Sequence, residues 1–130
     1  MFNQQIVHIN DNDYIINPFM GLQGLKIQNK LIKYAGTVIT KLNASTEQDV
    51  NEEDVFGNIA EILQTLLSGD NEKEITDLIV ELVSKVQKNG QPINFDKEFS
   101  CNYVTLFELV KEVVMFNYKD VFQKLGIGVN

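Results

Sequence analysis

His8 and Cys101 are the residues whose chemistry points most directly to catalysis, and each is the only one of its type in the 130-residue chain. A histidine beside a cysteine can activate the thiol as a nucleophile. However, His8 lies in a strand-like run and Cys101 near a predicted helix start, which favours a surface histidine and an unreactive small residue. One histidine and one cysteine also cannot complete the ligand set of a structural zinc site. We therefore predict no catalytic residues, no metal and no cofactor.

Two short motifs near the N-terminal end resemble ion or phosphate sites. The run from Asp11 to Asp13 is similar to the start of a calcium loop, but Ile15 and Ile16 stand where further ligands and a glycine are needed, so it is predicted to be a turn. The run from Gly21 to Lys26 holds two glycines and a lysine without the spacing of a Walker A phosphate loop.

Two further polar groups lie in predicted helices. The acidic run from Glu52 to Asp54 fits a metal site or an acid pair less well than a solvated helix start, where negative charge is favourable. Asn117 lies within an apolar helix face, and a buried asparagine needs hydrogen-bond partners. The preferred interpretation is that Asn117 fixes the packing of a loop or chain terminus, with a functional role left open.

Composition limits the class of protein. The chain has a net charge of −7 and its eleven basic residues are all lysine, which argues against nucleic acid as a partner. No apolar run approaches the ~20 residues of a membrane span, and the N-terminal residues lack a signal-peptide pattern. The single cysteine fits a reducing compartment. These features predict a cytoplasmic protein that binds neither nucleic acid nor membranes.

The helix that the others are predicted to pack against follows Tyr103. Its apolar residues recur at steps of three and four and fill about half of the helix circumference. They are Tyr103, Leu106, Phe107, Leu109, Val110, Val113, Val114, Tyr118 and Val121. Met115 and Phe116 fall on the other, polar half. Either another helix of the domain covers them, the interpretation we prefer, or they form an apolar patch that binds a client helix.

The remaining elements predict a mainly α (α+β) fold: a compact array of about four helices with a small N-terminal β-hairpin. We expect residues 1–130 to form a single domain. Its predicted segments are a hairpin at 1–17 with a four-residue turn at 10–13, a helix at 18–43, a loop at 44–51, helices at 52–68 and 71–89, an extended link at 90–99 and the central helix at 101–124.

Two of these helices carry stripes that are expected to face the core. Asn17-Pro18 is typical of a helix start, and Asn71 with Glu74 is typical of a capping box. The stripe of the first helix comprises Leu22, Leu25, Leu31, Ile32, Ala35, Val38, Ile39 and Leu42. The stripe of the helix at 71–89 comprises Ile75, Leu78, Ile79, Leu82, Val83 and Val86.

The order of motifs resembles a known family. A Phe95-Asp-x-x-Phe99 segment leads into an aromatic-rich helix that ends in Asn117-Tyr118-x-x-Val-Phe122, and Asn17-Pro18-Phe19 is followed by Gly24-Leu-Lys26. This pattern, which covers most of the chain, is similar to the tail assembly chaperones of long-tailed bacteriophages and related prophages.

The resemblance implies a non-catalytic helical protein that keeps tail components soluble and is absent from the mature virion. Its implied partners are the tape-measure protein and the tail tube protein, with self-association left open. Three alternatives remain: a structural virion connector protein, a small regulatory or inhibitor protein, and an enzyme, for which the sequence predicts no substrate pocket.

Overall fold

A computed structural model describes the backbone of residues 4–46 and 64–124 and the side chains of residues 4–34 and 64–120. Residues 64–67 form a short helical segment. The other elements are β1 (Gln5–Ile9), β2 (Asn12–Ile16), α1 (Gly21–Thr46), α2 (Glu72–Leu82), β3 (Gln87–Lys88), β4 (Gln91–Pro92), α3 (Phe95–Glu98) and α4 (Tyr103–Lys124). The predicted mainly α fold with an N-terminal hairpin is confirmed.

The strands form an antiparallel sheet in the order β1-β2-β3-β4. A two-residue turn joins each hairpin: Asn10 and Asp11 in the first, Asn89 and Gly90 in the second, all with positive φ. Asn, Asp and Gly tolerate this left-handed backbone best, and a turn with two such residues matches the twist of the strands. The prediction of a four-residue turn at 10–13 was therefore wrong, because two of those residues extend β2.

The second hairpin is the largest departure from the predicted segments. A continuous helix was expected at 71–89, but α2 ends at Leu82, and β3 pairs with β2 instead. Within the expected link at 90–99, β4 pairs with β3, and Asn94 accepts a hydrogen bond from the backbone N–H of Lys97 at 3.1 Å to begin α3. Asn89-Gly90 is a residue pair typical of such a turn, but the helical spacing of Val83 and Val86 favoured a longer helix.

Helix α4 is central to the described part of the fold, since it packs against α2, β1 and β2. Its buried apolar side chains are Leu106, Leu109, Val110, Val113, Val114 and Tyr118, all within the predicted arc. Two positions differ. Tyr103 belongs to the predicted arc but is 60% exposed, and Thr105, which lies outside that arc, is fully buried. The hydroxyl of Thr105 accepts a hydrogen bond from Asn10 at 2.7 Å and donates one to Asn102 at 2.9 Å, which offsets the cost of burying it.

Helix α2 buries the full predicted face, since Ile75, Leu78, Ile79, Leu82, Val83 and Val86 are all at most 4% exposed. Val83 lies in the turn beyond the helix, and Val86 lies between that turn and β3. The predicted capping box does not form: the Asn71 side chain makes no capping hydrogen bond, and the Glu74 carboxylate instead accepts one from the Tyr34 hydroxyl of α1.

Helix α1 begins at Gly21 rather than at residue 18 and runs to Thr46, so residues 44–46, which were predicted to be loop, are helical. Its described buried side chains are Ile27, Leu31 and Tyr34. The predicted stripe was therefore wrong at Leu22 and Leu25, which are 69% and 52% exposed. Of the helix predicted at 52–68, residues 52–63, including the acidic run at 52–54, lie outside the described residues.

Candidate functional site

Asn117 links the start of α1 to α4. Its side-chain oxygen accepts a hydrogen bond from the backbone N–H of Phe19 at 3.2 Å, and its side-chain nitrogen donates to the carbonyl of Val113 at 3.1 Å. Both ends of the amide are satisfied, as a partly buried asparagine requires. The preferred structural interpretation of Asn117, that it fixes a neighbouring segment, agrees with this geometry.

Tyr118 makes the second link. Its hydroxyl donates to the carbonyl of Gly24 at 2.9 Å, and its ring stacks on that of Phe19 with centroids 6.4 Å apart. A side chain at position 24 would crowd this contact, because an added Cβ would lie 3.3 Å from the Cβ of Phe19. We call Phe19, Gly24, Asn117 and Tyr118 the α1–α4 junction. It combines a close backbone approach with two hydrogen bonds that set the position of the start of α1.

Three large apolar side chains beside this junction, at the start of α1, are exposed to solvent. Met20, Leu22 and Leu25, which we call the α1 apolar face, are 60%, 69% and 52% exposed. Leu22 and Leu25 lie one turn apart, on the side of the helix away from Ile27 and Leu31. The sequence pattern did contain this face, but it was merged with the buried stripe because both have helical spacing.

A groove of about 260 Å³ lies next to this face, lined by Gln4, Asn17, Pro18, Met20 and Lys85. Asn17 was predicted to cap the first helix, and this was wrong. Its amide nitrogen donates to the carbonyl of Lys85 at 2.8 Å, and its oxygen accepts from Gln4 at 2.6 Å. Asn17 therefore ties the segment before α1 to the turn that follows α2.

Met115 and Phe116, for which burial within the domain was the preferred interpretation and client binding the alternative, directly precede the junction residues on α4. Both side chains are half-buried and pack against the hydrophobic core. They are therefore less available to a partner than the α1 apolar face. The alternative client surface on α4 is therefore less exposed than the apolar surface at the start of α1.

The remaining candidate residues lie apart from the junction. His8 Nδ1 and Asp13 Oδ1 are 2.7 Å apart on the exposed side of the β1–β2 hairpin, and Cys101 is exposed in a turn with φ of 55°. The glycines and lysine of residues 21–26 lie in the first turns of α1. Within residues 4–46 and 64–124, no three His, Cys, Asp or Glu side chains are grouped as metal ligands.

Two buried tyrosine hydroxyls have shifted acidity. Burial, followed by the nearby charge of Glu81, raises the pKa of Tyr118. Burial also raises the pKa of Tyr14, whose hydroxyl donates to Glu98 at 2.6 Å, and Lys88 lies 3.1 Å from the same carboxylate. Because its pKa is raised, the Tyr118 hydroxyl stays protonated, and keeps its hydrogen bond to Gly24, to a higher pH than an exposed tyrosine would.

We expect stability to fall at alkaline pH because of these two groups. A pKa raised above its unfolded value of about 10 contributes stability that is present below that pH and is lost as the pH rises through the folded pKa. In a titration of phenolate absorbance, part of the ionisation should occur late and together with unfolding. Tyr14→Phe and Tyr118→Phe should each remove part of this late fraction. An unchanged titration in both variants would contradict the assignment.

Comparison with family models matches residues 10–129 to "Phage tail assembly chaperone protein, TAC". The chain belongs to this family. The match covers more than nine-tenths of the tail assembly chaperone, including every motif on which the resemblance was based. No curated protein and no solved structure matched it.

The segments of this tail assembly chaperone on which the resemblance was based meet in the fold. Phe19 and Gly24 from its N-terminal motifs contact Asn117 and Tyr118 from its C-terminal motif. The Phe95-Asp-x-x-Phe99 segment comprises α3 and its C-cap residue, and its two rings pack edge to face with centroids 5.1 Å apart. No helix in the described ranges is both long and apolar enough to cross a membrane.

Proposed function

We propose that this tail assembly chaperone binds the tape-measure protein, the tail tube protein or both, and keeps them soluble until they polymerise. It does so by binding alone, without catalysis. The observation that supports this proposal is the α1 apolar face, where three large side chains are more than half exposed. A monomer gains little from exposing them, whereas a binding protein can use them as anchors.

The α1 apolar face suits a helical client. An amphipathic helix presents apolar side chains three or four residues apart, and Leu22 and Leu25 have the same spacing. The α1–α4 junction holds this part of α1 against α4 through Asn117 and Tyr118. Because the backbone is already positioned, less conformational entropy is lost when a client binds.

Charge supports the solubilising part of the proposal. The chaperone carries a net charge of −7, and like-charged complexes repel one another in solution. We propose that it works in the host cytoplasm, that its charge opposes aggregation of loaded complexes, and that it leaves before the virion matures.

Met115 and Phe116 are proposed as a second client contact. They are half-buried, so each leaves part of its side chain accessible, and methionine adapts readily to a partner surface. Their position next to Asn117 and Tyr118 places them on the same helix that holds the α1 apolar face in position.

Co-expression with each proposed client tests the function. The tape-measure protein and the tail tube protein should each be expressed alone and with the chaperone, and the soluble fraction measured. We expect at least one of them to move from the pellet to a soluble complex that contains the chaperone, while an unrelated long helical protein does not. If neither client is solubilised, the proposal is wrong. Co-purification with mature virions would instead favour a connector protein, and capture of a host protein a regulator.

The second contact has its own variants in that experiment, Met115→Ser and Phe116→Ser. We expect weaker client co-purification, with only a modest fall in the melting temperature, because each side chain is half-buried against the core. If the isolated Phe116→Ser protein is destabilised by several kcal/mol, the side chain belongs to the core, and the second contact is ruled out.

A further inference from the structure

Strand β1 has an outer edge on which no other strand of the described chain pairs. The two-residue turn makes Ile9 and Asn12 a hydrogen-bonded pair, and the pairs alternate from there along the hairpin. The main-chain N–H and C=O groups of Ile6 and His8 therefore point away from β2. An edge with free groups of this kind can accept another strand.

A groove of about 410 Å³ lies along this edge, between β1 and α4. It is lined by Val7, His8 and Ile9 from the strand and by Glu108, Lys111 and Glu112 from the helix. Because α4 continues beneath the sheet edge, a strand added beside β1 would have one face on these three helix residues and the other in solvent.

The charges in the groove favour a cationic occupant. Glu108 and Glu112 supply two carboxylates against the single ammonium of Lys111, and none of the three forms an ion pair with another described residue. Side chains of an added strand that pair with Val7 would point at them, since strand residues alternate between faces. Lysine or arginine at those positions would pair with the carboxylates.

The outer face of the sheet favours apolar residues at the alternate positions. Ile6 is 68% exposed and lies directly opposite Ile15 on β2. A β-branched residue on an added strand opposite Ile6 would extend this pair into an apolar row across three strands, which is a stabilising arrangement in sheets.

We propose that the β1 edge binds an extended polypeptide segment as a fifth strand, with basic and β-branched apolar residues in alternation. A second copy of the chain fits poorly. The residues of its own β1 that would face α4 are Gln5, Val7 and Ile9, which bring no cation to Glu108 and Glu112. This surface differs in position and chemistry from the α1 apolar face, so the inference does not depend on the proposed function.

The test uses the purified full chain and a synthetic peptide of alternating lysine and valine, with alternating glutamate and valine as the control peptide. Calorimetric titration should detect binding of the first peptide only, and binding should weaken as salt is raised. Hydrogen exchange at the amides of Ile6 and His8 should slow when the peptide is bound.

Two variants localise the binding. Ile6→Pro removes an outward N–H without removing a β1–β2 hydrogen bond, and Ile6→Thr is its matched control. Ile6→Pro and the double change Glu108→Gln with Glu112→Gln should each lower the affinity for the lysine–valine peptide about tenfold. Ile6→Thr should lower it less.

Three results would overturn the proposal. One is equal affinity for both peptides. Another is unchanged affinity for the lysine–valine peptide in the variant with Glu108→Gln and Glu112→Gln, a measurement that can be made even if Ile6→Pro fails to fold. The third is protection of the Ile6 and His8 amides against exchange that increases with protein concentration when no peptide is present. That result would mean that a second copy of the chain pairs with the edge. No tail protein takes part, so the result is independent of the client experiment.

Discussion

Replacing Leu109 with alanine is expected to lower the free energy of unfolding by ~2–5 kcal/mol. Leu109 is fully buried on α4, where the helix meets α2 and the sheet. The change removes buried apolar volume and leaves a cavity that the surrounding elements can fill only in part. Urea denaturation followed by circular dichroism measures this loss.

The matched control for this prediction is Leu22→Ala, which makes the same chemical change at a side chain that is 69% exposed. Its effect should stay within about 0.5 kcal/mol, as is usual for surface positions. A loss below ~1 kcal/mol for Leu109→Ala would show that α4 is not the centre of the core.

The combined change Leu22→Gln and Leu25→Gln is expected to abolish client solubilisation while leaving the free chaperone folded. A few residues usually account for most of the binding energy of an interface, and these two leucines are the largest exposed anchors on the described part of α1. Glutamine is a good helix former, so the backbone should be unaffected. The soluble client fraction and the melting temperature of the free protein are measured on the same preparations.

The control for this pair is Lys26→Gln with Asn29→Ala, which changes exposed polar residues of the same helix. It should retain client binding. If the leucine variant still solubilises the client, the α1 apolar face is not the binding surface. If the melting temperature of the leucine variant is much lower than that of the control, the leucines contribute to folding and the experiment no longer supports an interface.

Sequence patterns correctly predicted the features that depend only on residues close together in the chain. All six apolar residues predicted at 71–89 are buried, because a single stripe at helical spacing left only one side of α2 that could face the core. Asn117 was recognised as a residue that must have partners, since an amide inside an apolar arc has a desolvation cost that spacing alone reveals. Its partner, the N–H of Phe19, is 98 positions away in sequence and could not be named.

The misassigned positions share a different cause. Leu22 and Leu25 were placed in the core because the helical period identifies apolar residues but not which side of the helix its neighbours occupy. Tyr103 was misplaced for the same reason, since it lies at the first residue of α4, next to the exposed turn that contains Cys101. Thr105 lies outside the apolar arc of α4, and its burial could not be predicted because one of its hydrogen-bond partners, Asn10, is 95 positions away in sequence.

Residue types and spacings within single segments were enough to predict the helical character of the chain, the N-terminal hairpin and the importance of the last long helix, and the order of motifs along the chain predicted the family. Packing between distant segments determined which apolar face became surface. Phe19 and Gly24 meet Asn117 and Tyr118 only after the chain has folded, and that contact turns Leu22 and Leu25 outward. A periodic pattern specifies a surface on an element, whereas the packing of distant elements determines whether that surface is buried or remains available to a partner.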